Sequence, residues 1–166
     1  SRACIDVIEA SKAFRVRGLI APDRPAMPVE GRYPIVGGDN DLAELISSTP
    51  SVLICVGQIA SSSRRRNLFR ELKDLGGIFP VIISPFAYVS DSVRLGEGTI
   101  VMHGAIINAA SRVGVNSIVN SKALIEHDVT IGNHCHISTG ALVNGGVVIH
   151  DDVFIGSGAV IREGVE

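Results

Sequence analysis

Residues 89–166 repeat every six positions without interruption, thirteen hexads in succession. Each hexad opens on an aliphatic residue: Val89, Leu95, Val101, Ile107 and so on to Ile149, Ile155 and Ile161. Its fifth place is always small or β-branched, from Val93 and Thr99 through Cys135 and Ala141 to Val165. A helix repeats every 3.6 residues and a half-buried strand every two, so neither sustains this spacing and a repeat architecture is required. β-branched residues at the recurrent inward place favour strands, and the Gly, Asn and Asp between them favour bends. The pattern predicts a triangular solenoid, one short strand per hexad, whose stacked coils bury the aliphatic column.

The first half reads differently. Residues 3–10 have helical apolar spacing, 14–21 look like a strand, and Pro22-Asp23-Arg24-Pro25 closes it. Tyr33-Pro34-Ile35-Val36-Gly37-Gly38 reads as a second strand, and Asp39 to Asp41 caps a short helix through Ile46. An apolar run over 51–56 fits a buried parallel strand ending at Gly57-Gln58. Serines at 61–63 start a helix over 63–75, Gly76-Gly77 stops it, and 79–83 forms one more strand. Strand–helix–strand alternation predicts a small α/β domain over 1–84, with the solenoid domain over 85–166.

Composition narrows the function classes. A net charge of −2 offers no electrostatic footing on nucleic acid or an anionic membrane. The apolar runs fall short of a membrane span and no signal peptide is evident, so a cytoplasmic protein is expected. Cys4, Cys55 and Cys135 show no metal-type pairing, and the last two read as core thiols in a reducing compartment.

The hexads resemble those of the hexapeptide-repeat acyltransferases, which implies a left-handed parallel β-helix with three hexads per coil. The two-part plan narrows the resemblance to the bacterial family of UDP-4-amino-sugar and perosamine N-acetyltransferases and sialic acid O-acetyltransferases. It is carried by Gly31-Arg32-Tyr33-Pro34-Ile35-Val36-Gly37-Gly38-Asp39, by Val56-Gly57-Gln58 and by residues 120–146. It implies a Rossmann-like N-terminal domain for the nucleotide sugar and acetyl-CoA as acetyl donor. The family opens with a strand and a glycine-rich, His-containing loop and closes with further hexads and a tail. A chain cut short at both ends is therefore expected. The paired acids usual after the family's second strand are here Asp23 followed by Arg24.

Glu126-His127-Asp128 is the strongest chemical signal. Acetyl transfer to an amine or hydroxyl needs a base, and neutral imidazole suits that task near pH 7. The resemblance makes His127 the base and Asp128 its partner. Eighteen residues per coil stack Gly145 beside His127, where a backbone N–H can face a developing oxyanion. The resemblance further implies acetyl-CoA contacts from His136 and Gly145, and substrate contacts from Asp23, Gly57, Arg65 and Asn120. Arg64-Arg65-Arg66 opens a helix, where positive charge opposes the macrodipole unless it meets an anion such as a pyrophosphate; a solvated basic face is the plainer reading. His103, His134 and His150 are expected to be surface residues.

Zinc chemistry would need three converging imidazoles, and no two histidines here lie one coil apart, so no metal is expected. Sorting the sixth hexad places by face gives one wholly apolar column, Ile106, Leu124, Leu142 and Val160. An exposed stripe of that kind predicts a homotrimer with its active sites between subunits. The leading function is acetyl transfer to a nucleotide-linked amino sugar in bacterial surface-glycan synthesis. Sugar O-acetylation and a non-enzymatic scaffold are the alternatives.

Overall fold

The computed structural model describes residues 2–21 and 33–166. The first part holds α1 (Arg2–Ser11), β1 (Leu19–Ile20), β2 (Ile35–Gly37), a 3₁₀ turn at Asp39–Asp41, α2 (Leu42–Ser48) and α3 (Ser63–Asp74). Leu42, Ile46, Ile54, Leu72 and Phe79 form its core. α3 ends in a Schellman turn: Gly76 adopts φ 87°, its N–H reaches Lys73 O, and that of Gly77 reaches Leu72 O. Of the parallel sheet expected here, the described residues form only a two-stranded parallel pair and one parallel bridge. β1 pairs only with β2, and Ser51 bridges Ile78 in isolation. Residues 53–56 run beside a cleft of about 580 Å³, and among the described residues their backbone N–H groups bond nothing and no strand pairs with them.

The rest is a β-helix of fourteen two-residue strands, β3 (Ile82–Ile83) to β16 (Val160–Ile161). Each pairs in parallel with the strand eighteen residues on, as Leu124 does with Leu142 and His136 with Phe154. Three stacked sheets result, one per face of the prism. The aliphatic first places and small fifth places meet on the axis as one core, including Val101, Ile107, Ala123, Ile125, Val129, Cys135, Ile137 and Val143. Each large aliphatic side chain buried this way contributes about 1.5–3 kcal/mol. The solenoid starts one strand earlier than the sequence suggests, because Ile82–Ile83 pair with Ile100–Val101. Ile83 and Ala87 already keep the hexad register, which the apolar run before Pro85 disguised as a strand of the first domain.

The corners explain the period. The fourth place of every hexad from Gly98 to Gly164 has φ between 51° and 71°. Six of these residues are not glycine: Ala110, Asn116, Lys122, Asp128, His134 and Asp152. Asn and Asp tolerate this region best, and the others hold it at about 1–2 kcal/mol each because the coils above and below fix the bend.

The three faces differ in what covers them. The first, Ile82, Ile100, Ile118, His136 and Phe154, lies under the N-terminal part, where Val7, Ile8 and Leu53 pack on Ile82, Ile100, Met102 and Ile118. The second, Tyr88, Ile106, Leu124, Leu142 and Val160, is open, with Tyr88 at 59% and Val160 at 64% exposure. The third, Arg94, Arg112, Thr130 and Val148, is mainly polar. Among the described residues no helix is long and apolar enough to cross a membrane.

Candidate active site

His127 and Asp128 sit at the corner that follows β10 (Leu124–Ile125), on the edge of the open apolar face. The left-handed bend at Asp128, φ 61°, brings its carboxylate back beside the ring, with Oδ2 2.9 Å from His127 Nδ1. A carboxylate only accepts, so Nδ1 carries the proton and Nε2 presents its lone pair. The bond to Asp128, first, raises the imidazole above its usual range; burial opposes this slightly, and the charges of Asp128, Glu126 and Glu163 add to it. Glu126 is held in turn by Asn108 one coil below, Nδ2 to Oε2 2.9 Å. Both His127 and Asp128 are exposed, with side chains at 64% and 66%.

Gly145 stacks on this ring as the eighteen-residue coil requires. A Cβ there would lie 3.0 Å from His127 Cε1 and 3.1 Å from Nε2, so the glycine makes room for the imidazole. The next N–H, that of Gly146, bonds His127 O at 3.0 Å, whereas the Gly145 N–H bonds nothing among the described residues. A base with its lone pair outward and an unused backbone donor thus lie side by side.

The other residues singled out in the sequence fall elsewhere. His136 is on the first face and only 8% exposed. Its Nδ1 donates to Gln58 O at 2.7 Å, its Nε2 lies 3.1 Å from Asn120 Nδ2, and Phe154 packs edge-on at 5.2 Å. Both ring nitrogens are engaged within the chain, and burial, first, lowers its pKa. The acetyl-CoA contact expected of it finds no free nitrogen; the residue fastens the two parts of the chain together. Asn120 is half-buried at the opposite edge of the open face from His127, its Oδ1 accepting from Ser121 N–H at 2.8 Å. Gly57 is exposed, and a Cβ added there would meet nothing within 4 Å. Asp23 lies outside the described residues.

Arg65 needs correction as an anion ligand. It is 1% exposed and turned inward, donating to Ile54 O and Val56 O at 2.7 Å each and to Asn116 O and Oδ1 at 3.0 and 2.7 Å. Its Nε, the one donor without a partner, is itself buried. Burial, first, lowers the guanidinium to about 10, and it stays charged at neutral pH. The triple-Arg run is therefore split by helical geometry: Arg64 faces out, Arg65 faces in, and Arg66 pairs with Asp152 at 2.5 Å. Removing the side chain leaves buried carbonyls unsatisfied at about 1–3 kcal/mol each, so Arg65→Ala should lose roughly 3 kcal/mol or more of unfolding free energy. Urea titration checks this, and a loss below about 0.5 kcal/mol would contradict it.

Two further histidines are less superficial than the sequence suggests. His134 is half-buried, with Nδ1 3.0 Å from Asn116 Nδ2 and its ring edge-on to Phe69. His103 bridges Ser84 Oγ at 2.6 Å and Asp6 Oδ2 at 2.8 Å, tying α1 to the first coil. That Ser–His–Asp chain is not a nucleophile site, since Ser84 is 1% exposed and its Oγ accepts from Phe86 N–H. The His134–Phe69 and His103–Asp6 contacts join the two parts of the chain, so no spacing in the sequence foretells them, whereas Asn116 and His134 lie one eighteen-residue coil apart.

No protein-family model matches the chain, and no curated protein does. Solved structures match over nearly its whole length. PerB from Caulobacter crescentus, in complex with CoA and GDP-perosamine, is 29% identical, with a TM-score of 0.80 over 99% of this chain and 84% of that one. A histidine-to-asparagine mutant of the perosamine N-acetyltransferase from the same organism, with the same two ligands, matches at 27% identity and a TM-score of 0.80 over the same shares. The acetyltransferase domain of PglB from Neisseria gonorrhoeae FA1090 is 26% identical, with a TM-score of 0.83 over 99% and 87%. These structural matches are sugar N-acetyltransferases, acyltransferases of the hexapeptide type, and they support left-handed winding of the solenoid.

Proposed function

We propose that the chain is an acetyl-CoA-dependent N-acetyltransferase acting on a nucleotide-linked amino sugar in bacterial surface-glycan synthesis. The observation that carries this reading is the His127 corner: a carboxylate-held imidazole whose free nitrogen adjoins the unused N–H of Gly145. Neighbours that bind CoA and GDP-perosamine support the donor and the substrate class.

Acetyl-CoA supplies an acyl group activated as a thioester. His127 Nε2 takes a proton from the sugar amine as that nitrogen attacks, and its imidazolium returns the proton to the departing thiolate. Asp128 holds the tautomer and stabilises the charged ring. The Gly145 N–H faces the carbonyl oxygen as negative charge grows on it. No residue in this scheme calls for a metal.

One chain leaves this corner open to water, and a homotrimer would close it. With the apolar second face turned toward a threefold axis, the His127 corner of one subunit meets the Asn120 corner of the next, because the two corners flank that face. Asn120 would then reach the acceptor bound beside the neighbour's base. Asp23 and Gly57 would supply contacts to the nucleotide.

Thiol release from acetyl-CoA, measured with UDP- and GDP-linked 4-amino sugars and with free sialic acid, tests the reading. Turnover with a nucleotide-linked amine is expected. Turnover with sialic acid alone would move the protein to O-acetylation, and none with any acceptor would favour a scaffold. Gly145→Val should displace both the imidazole and the thioester. It is expected to raise KM for acetyl-CoA more than KM for the sugar while lowering kcat; equal shifts in both KM values would count against this placement.

A further inference from the structure

Asn120 follows β9 (Ile118–Val119) and turns the corner from the covered first face to the open second one. Its backbone is pinned on both sides: its N–H bonds Ile137 O at 2.8 Å, and its carbonyl accepts from Ala123 N–H at 3.1 Å. On a fixed backbone an Asn side chain can still present either its oxygen or its nitrogen, because the two ends of the carboxamide have nearly the same shape. Here partners that cannot change role decide the matter. The Ser121 N–H only donates, and it takes Oδ1 at 2.8 Å. The Gln58 carbonyl only accepts, so His136 carries its proton on Nδ1, 2.7 Å away. That leaves His136 Nε2 as an acceptor for Asn120 Nδ2 at 3.1 Å. Phe154, edge-on at 5.2 Å, holds the plane of the ring. Burial, first, and the charge of Arg65 lower the imidazole against the effect of the Gln58 bond, which keeps the neutral form that this arrangement needs.

We propose that His136 is a positioning residue for the transfer, setting the Asn120 carboxamide in the one orientation that meets a sugar hydroxyl beside the reacting amine. The proposal rests on the acetyl-transfer reading, in which Asn120 reaches the acceptor. Once oriented, the half-buried carboxamide keeps one N–H and one oxygen lone pair without a partner among the described residues. A hydroxyl donates and accepts at once and can satisfy both, whereas a carbonyl, a carboxylate or a methyl group cannot. Without an acceptor at Nε2 the carboxamide is free to turn, and it then offers that hydroxyl a mixture of orientations. The same ring fastens the first part of the chain to the solenoid through Gln58 O, so the two jobs fall on different nitrogens.

Two substitutions separate those jobs. Asn places its amide nitrogen near the position of Nδ1, and Gln reaches the position of Nε2. His136→Asn should keep the bond to Gln58 O, and with it most of the resistance to urea, while the acceptor for Asn120 is lost. His136→Gln should do the reverse. Steady-state kinetics with a nucleotide-linked amino sugar, beside urea titration of each variant, reads both effects. His136→Asn is expected to lower kcat/KM for the sugar about tenfold, the upper range for one hydrogen bond, with KM for acetyl-CoA unchanged. His136→Gln should recover most of that loss despite a lower urea midpoint. In an Asn120→Ala background, itself impaired, His136→Asn should add less than about twofold, because it acts through a side chain that is gone.

Activity that merely follows the urea midpoints would overturn the proposal and leave His136 as a fastener. A full tenfold loss on top of Asn120→Ala, an Asn120→Ala variant as active as the wild type, or an effect confined to KM for acetyl-CoA would overturn it too. No thiol release by the wild type with any acceptor would instead overturn the acetyl-transfer reading, and this proposal with it.

Discussion

His127→Ala is expected to leave the β-helix folded and acetyl-CoA bound while turnover falls by about 10²–10⁴-fold, the range for loss of a positioned general base. The fold tolerates the change because the ring lies outside the prism at 64% exposure, beside Gly145 and Asp128. The pH profile sharpens the test. The raised pKa of His127 keeps the imidazole protonated to higher pH than usual, and only its neutral form can take a proton. Hence kcat/KM should climb with pH through that raised value. Asp128→Asn removes the first cause of the shift, so the rising limb should move to lower pH and the plateau should drop. Near wild-type turnover of His127→Ala with the preferred acceptor would remove the residue as the base.

Leu124→Glu combined with Leu142→Glu should separate the subunits and abolish activity together. The two leucines stack in adjacent coils at the centre of the open second face, between Ile106, 39% exposed, and Val160, 64% exposed. Each large aliphatic side chain covered there contributes about 1.5–3 kcal/mol, whereas two carboxylates placed at the centre of a packed face would be desolvated without partners. The single prism should survive, since Ile125 and Val143, which form its core, are untouched. Sedimentation with an activity assay reads both effects. An active monomer, in the wild type or the variant, would contradict an active site shared between subunits.

What could be read from the sequence follows from how far its signals reach. Hexads encode neighbours eighteen residues away, so the strand pairing, the inward columns and the Gly145–His127 stack were all legible. The open second face was legible for the same reason: Ile106, Leu124 and Leu142 keep one register. Contacts between the two parts of the chain have no period. Arg65 looked like an anion ligand because helix position alone cannot tell an inward guanidinium from an outward one; the carbonyls of Ile54 and Val56 decide the matter. The resemblance made His136 a cofactor contact, yet Gln58 O takes its Nδ1 and Phe154 packs on its ring. Ile100 and Ile118 on the same face are likewise covered by α1 and Leu53. The strands expected over 14–21 and 51–56 shrank to β1 and one bridge, since β propensity needs a pairing neighbour to become a strand.

The most direct measurement is a crystal structure with CoA and a nucleotide-linked 4-amino sugar bound together. The sugar amine is expected within about 3 Å of His127 Nε2, the distance a general base requires. The CoA sulfur should lie beside Gly145, with Asn120 of an adjoining subunit at the acceptor. Both ligands seated away from the His127 corner, with Nε2 facing only solvent, would contradict that placement.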